Sequence, residues 1–259
     1  MYKKEIGEKL AKSLTAETTD LLPFLPYLLQ DIWELGSSPA DMVALIEKHL
    51  PVSGGIRVLD LACGKGAVSV RIAQKLGATV KGIDLIPEFI EYAERKAKEL
   101  GVSSLCCFEK GDVNDAVLKE RDYDCAVWGA AGNVLGDPET TLKKLKRTLR
   151  GEGCLLLDDA YVECDNRRIR YRNYEYLTHG QWLELFRKNR WKDLAALSNT
   201  NNLENESNNA SIKARAGELI ERYPEKQALF ESYVQSQLDE SHDLANNLVG
   251  VTWLLQKID

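Results

Sequence analysis

Residues 57–70, RVLDLACGKGAVSV, set a carboxylate and two glycines at the end of a short apolar run. Val58, Leu59 and Leu61 read as a buried parallel strand, Gly64 and Gly66 permit a tight turn, and Val68, Ile72 and Leu76 resume at helical spacing. Such a strand, turn and helix start presents free backbone N–H groups to a nucleotide-type ligand. The dinucleotide pattern G-x-G-x-x-G fails at Ser69, and the phosphate-binding G-x-x-x-x-G-K-[ST] pattern fails in length and in the residue after Lys65. Asp60 beside the turn opposes a pyrophosphate and suits a positively charged nucleoside.

Other acids recur at strand ends. Asp84 closes a strand over 79–84, where a carboxylate can accept both hydroxyls of a ribose; capping the helix that Pro87 opens is the alternative role. Asp112 follows a strand over 105–110 and reads equally as a helix N-cap. A fourth strand, 123–129, delivers Trp128, Gly129 and, just beyond, Asn133. A fifth, 154–157, ends in Asp158 and Asp159, which either cap the next segment or hold or deprotonate a substrate. Tyr161 is placed in the pocket, and His179 is read as a helix cap or a general base.

These strands alternate with helices, as in a doubly wound α/β sheet. Residues 3–35 read as two helices, the second apolar around most of its circumference from Leu21 to Leu35 and so a lid, a dimer contact or plain packing. Residues 166–176, NRRIRYRNYEY, interleave arginines and tyrosines, as an anion-binding segment or a charged sheet edge. A sixth strand covers 191–197, an Asn-rich surface loop 198–210, helices 211–223 and 225–245, and a last antiparallel strand 248–255.

At 259 residues, 44% hydrophobic, the chain can bury a large core. A net charge of −6 argues against nucleic acid and acidic membranes as partners. No apolar run approaches the ~20 residues of a membrane span and the first ten residues lack a signal core, so the chain reads as cytoplasmic. The six cysteines show neither C-x-x-C spacing nor nearby histidines; they read as reduced core residues, with no metal. Cys63, in the glycine turn, meets the ligand through its backbone.

Asp60-Leu61-Ala62-Cys63-Gly64-Lys65-Gly66 resembles the first motif of class I S-adenosylmethionine-dependent methyltransferases, an acid followed by x-G-x-G-x-G, with Ala62 at the first glycine. An alanine is tolerable there if its backbone angles are ordinary. The resemblance covers about residues 58–161. It implies a Rossmann-like doubly wound sheet of seven strands with the last reversed, an N-terminal helical cap (1–50), a core (51–198 and 246–259) and a helical insertion (199–245). It implies S-adenosylmethionine as cofactor, bound by Asp60, Ala62, Cys63, Gly64, Gly66, Asp84, Leu85, Ile86, Gly111, Asp112, Val113, Trp128 and Gly129. Asp112 and Val113 would meet the adenine. It further implies in-line methyl transfer to a small molecule, for which the residues offer Tyr27, Trp33 and Asn133 as pocket candidates and, where the acceptor bears a proton, Asp158, Asp159, Tyr161 or His179 as base. The [ND]-P-P-[YF] motif of base-amine methylation is missing after the fourth strand, as are metal-binding acids. A module that holds the nucleoside without turnover and a nicotinamide-dependent oxidoreductase are the alternatives.

Overall fold

A computed structural model describes residues 4–51, 55–163, 168–199 and 202–258. Its frame is a seven-stranded sheet in the order β3-β2-β1-β4-β5-β7-β6. The strands are β1 (Arg57–Leu61), β2 (Thr79–Asp84), β3 (Cys106–Lys110), β4 (Tyr123–Gly129), β5 (Leu149–Val162), β6 (Trp191–Asn199) and β7 (Leu248–Lys257). The first five are parallel, and β7 lies antiparallel between β5 and β6. This is the doubly wound sheet with a reversed last strand that the sequence implies. The chain leaves β1 towards β2 on one side and returns to β4 on the other, which opens a crevice at the carboxyl ends of these strands.

Two apolar layers sandwich the sheet, because alternate strand residues face opposite sides. Val58, Val80, Val127, Leu156 and Leu254 pack against α3 (Pro39–His49), α4 (Ala67–Leu76) and α5 (Pro87–Glu99). Leu59, Leu61, Trp128, Leu157 and Trp253 pack against α6 (Val113–Lys119), α7 (Pro138–Lys146) and α8 (His179–Lys188). Side-chain caps start four of these helices. Ser38, Asp112 and Asp137 accept from backbone N–H groups of α3, α6 and α7, and Thr178 with Gln181 forms a full capping box at α8.

A third cluster roofs the carboxyl edge. Leu21, Leu25 and Leu28 pack on Ile212, Ala216, Leu219, Phe230 and Tyr233 of α9 (Asn202–Arg222) and α10 (Gln227–Asn246), with Ile86 and Phe89 beneath. The N-terminal segment and the insertion before β7 thus form one helical layer.

Several expectations change. The second N-terminal helix is a six-residue 3-10 turn, Thr19–Phe24, and a single turn, α2 (Leu25–Leu28), after α1 (Lys4–Ser13). Pro23 and Pro26 each remove a backbone donor, and the apolar residues are covered from several sides by α9 and α10 instead of lying along one rod. Within 198–210, the described residues from Asn202 onward are the first turns of α9; packing on α10 outweighs the modest helix propensity of asparagine. β5 begins five residues early, at Leu149. Cys107 is exposed on β3, whereas Cys125 and Cys154 are core residues. Asn166 and Arg167 lie outside the described residues; in the remainder of that segment Arg168, Arg170 and Arg172 are exposed while Tyr171 and Tyr176 are buried.

Trp253 is fully buried and sits against Trp182 and Phe186, with ring centroids 5.4 Å away in each case. Trp253→Ala is expected to lower unfolding free energy by about 3–5 kcal/mol in urea titrations, through lost burial and an unfilled cavity; a loss below 1 kcal/mol would mean that β7 is not a central strand.

Candidate functional site

The glycine turn is built by left-handed backbone and locked by a carboxylate. Gly64 (φ 52°) and Gly66 (φ 73°) take positive φ, and so does Ala62 at 57°. The condition under which an alanine is readily tolerated at position 62, ordinary backbone angles, is therefore not met: the position has the conformation that favours glycine, and the alanine methyl carries strain there. A Cβ on Gly66 would stand 2.7 Å from the Cβ of Ala93, so this glycine also lets α5 close on the turn.

Asp84 accepts from the backbone N–H of Gly64 through Oδ2 (2.9 Å) and of Ile86 through Oδ1 (2.9 Å). Its own carbonyl accepts from the N–H of Gly111 at 2.9 Å, so one residue ties together the ends of β1, β2 and β3. Burial raises its pKa above the usual carboxylate range. Asp60 lies within β1, beneath the turn, where it accepts from the Ser69 hydroxyl at 2.6 Å; burial, with the Asp84 charge adding to it, pushes its pKa up to about 7.

Two cavities open at this edge. The smaller, about 70 Å³, is walled by Ala62 and Gly64, Asp84 and Leu85, Phe89, Asp112 and Val113, and Gly129, with Ile6, Leu10 and Ser13 of α1 and the following Leu14 as its roof. The charged residues described in that wall are the two acids, Asp84 and Asp112. This donor set fits an adenosine bearing a positive charge, with apolar side chains for the ring and a carboxyl for the diol, and opposes a pyrophosphate. Asp112 also caps α6, accepting from Asn114 N–H at 2.8 Å, so both of its suggested roles are geometrically available. The larger cavity, about 250 Å³, adjoins the first and shares Ser13, Leu14, Leu35 and Ala130 with it. Asp158 and Asp159 reach it from β5.

Other expected site residues stand elsewhere. Cys63, Gly66, Ile86 and Gly111 support the turn from behind the smaller cavity. The Trp128 side chain is buried in the sheet core, turned from the ligand edge by strand alternation. Tyr27 lines neither cavity; its hydroxyl bonds Glu218 and Arg222, tying α2 to α9. Trp33 donates to the Lys65 carbonyl at 3.0 Å and braces the turn from outside. Asn133 is exposed beyond the cavities. Tyr161 packs between His179 and Trp253, and exposed His179 stacks on it at 4.8 Å, so neither faces the larger cavity.

Sequence reasoning expected a helical cap but missed the latch that seats it. Lys65, 3% exposed, donates to the carbonyls of Leu29 and of Ile32 (2.6 Å), and burial brings its pKa down to about 8. A lysine between two glycines is visible in the sequence; that its amine seats the cap on the turn is not. Tyr171, Tyr174 and Tyr233, Glu240, and Asn205, Asn208 and Asn209 also face the larger cavity. The three asparagines share a helical face, a spacing that signals only once their segment is known to be helical.

The profile of a family described as a methyltransferase domain matches residues 53–221, well over half of the chain. The chain belongs to the class I S-adenosylmethionine-dependent methyltransferases. This methyltransferase superposes on a SAM-dependent methyltransferase from Geobacter sulfurreducens in complex with S-adenosyl-L-homocysteine, with a TM-score of 0.76 and 19% identity over 91% of this chain and 98% of that one. It is 37% identical over 44% of its length to YqeM of Bacillus subtilis (strain 168), whose name assigns that protein provisionally to the methyltransferases. It is 26% identical over 49% of its length to the 2-phytyl-1,4-naphtoquinone methyltransferase of Nostoc sp.. The matches span about half the length of these two relatives, 45% and 53%.

Asp60 makes the methyltransferase's stability depend on pH. Because its folded pKa, about 7, exceeds the unfolded value of 3.8, the folded state binds the extra proton, and stability from this group falls as pH rises from 4 to 7. Between pH 5.5 and 8 the loss is about 2 kcal/mol, and Asp60→Asn should remove that part of the slope in denaturant titrations. Equal slopes for both proteins would show that Asp60 ionises normally.

Proposed function

We propose that this methyltransferase transfers a methyl group from S-adenosylmethionine directly, in line, to a small molecule, with the adenosine in the smaller cavity and the acceptor in the larger. The observation that carries this reading is the shared wall of Ser13, Leu14, Leu35 and Ala130, which brings the two volumes into contact under one helical roof. Residues of α1, α9 and α10 enclose the larger cavity, so a small molecule suits it better than a polymer segment.

When bound, S-adenosylmethionine supplies a methyl carbon made electrophilic by the neighbouring sulfonium. The chain's task is then to orient and to exclude water. Asp84 would accept from the ribose hydroxyls, since each carboxylate oxygen keeps a lone pair after its bond to Gly64 or Ile86. Leu85 and Val113 would flank the ring, and Asp112 would accept from its amino group. Ile6, Leu10 and Leu14 close the site from above, and Lys65 holds the segment that follows. Of the four candidate bases, Asp158 and Asp159 face the acceptor cavity.

Asp84→Asn retains one acceptor oxygen and removes the charge. Its affinity for S-adenosylhomocysteine, by calorimetry, is expected to fall by about 1–3 kcal/mol, roughly 5- to 150-fold, with a lowered melting temperature as one of the two backbone N–H bonds to this side chain is lost. Undiminished affinity in a well-folded variant would take Asp84 out of the ribose contact.

A further inference from the structure

The larger cavity is lopsided in charge. Glu34, Asp158, Asp159 and Glu240 bring four carboxyls to its wall; the one cationic side chain among its described lining residues, Lys12, is solvent-exposed. Between the acids stand the rings of Tyr171, Tyr174, Tyr176 and Tyr233, whose faces attract positive charge. Tyr233 adds an independent sign of a ligand: it is 2% exposed, lines the cavity, and its hydroxyl makes no hydrogen bond of good geometry, the Gln237 side chain being the polar group that approaches it. A buried hydroxyl without a well-formed bond is unfavourable, and a polar occupant of the cavity would relieve it.

We propose that this cavity takes an amine, cationic in solution, as the methyl acceptor; the inference rests on the methyl-transfer reading above. A carboxylate or phosphate would be repelled by the acids there, whereas an ammonium is attracted to them. An ammonium nitrogen has no lone pair, so it must first lose a proton. Asp159 is placed to take it. Its Oδ2 accepts from the Tyr174 hydroxyl at 2.8 Å and its Oδ1 from the Ala160 N–H at 2.7 Å, which fixes the carboxyl and leaves a lone pair on each oxygen. The freed nitrogen pair forms the N–C bond as the C–S bond breaks. The electrons of the broken bond stay on sulfur, the positive charge passes to the methylated nitrogen, and the proton on Asp159 returns to solvent. Burial, which pushes Asp159 up to about 6, suits this exchange near neutral pH. Glu240, held by the Thr15 hydroxyl at 2.7 Å, lends negative charge from the opposite wall.

The test uses the full chain saturated with S-adenosylhomocysteine and matched probes titrated by calorimetry: phenethylamine against 2-phenylethanol and phenylacetate, and hexylamine against 1-hexanol. At least one amine should bind ten-fold or more tightly than its alcohol, with phenylacetate not binding. Asp159→Asn and Glu240→Gln should each cut that preference at least five-fold while S-adenosylhomocysteine affinity stays within two-fold, since neither residue walls the smaller cavity. Equal binding of amine and alcohol, failure of both amines to bind, or an amine preference unmoved by both substitutions would overturn the proposal. Failure of the wild-type chain to bind S-adenosylhomocysteine would instead sink the methyl-transfer reading on which it stands.

Discussion

The site depends on one carboxylate. Asp84 receives the N–H of the glycine turn that follows β1 and the N–H that opens the segment to α5, while its carbonyl receives the chain leaving β3. Three strand ends are therefore held in register by a single residue 7% exposed. Charge-assisted bonds of this kind are short and directional, and each is worth more than a neutral one where water is excluded. Without them the left-handed residues Ala62, Gly64 and Gly66 would be free to relax, and the N–H groups of the turn would lose their common aim.

A second constraint couples the turn to its roof. The Lys65 amine ends on the carbonyls of Leu29 and Ile32, and Trp33 returns a bond to the Lys65 carbonyl, so cap and turn hold each other. The ring of Tyr92 lies 4.6 Å from the same amine and helps replace its lost hydration. The roof reaches both cavities because Leu14 and Leu35, which flank the latched segment, belong to both walls. Closure over the nucleoside and closure over the acceptor are for this reason parts of one structure.

Buried acids are the recurring cost. Asp60, Asp158 and Asp159 are each raised by removal from water, Asp158 to about 7 while it accepts from the Thr252 hydroxyl at 2.7 Å. A core optimised for stability alone would hold apolar residues at such places. Their concentration at the carboxyl edge of the sheet marks where stability gives way to chemistry.

The sequence by itself determined the sheet, the glycine turn and the acid that ends β2, whereas Asp158 and Asp159, expected to end β5, lie within a strand that runs on to Val162. Those features rest on local rules: period-two burial in strands, helix caps, and glycine where φ is positive. The tertiary structure alone decided which side chains share a cavity. Tyr27, Trp33 and Asn133 have suitable types and positions yet point elsewhere, whereas Asp159, Tyr233 and the asparagines of α9 converge from segments far apart in the chain. Proline breaks at Pro23 and Pro26 turned an apparent helix into a folded cap, and packing on α10 made a helix of asparagines that locally favour a loop. Convergence of that sort is set by long-range packing, which no local window of sequence contains.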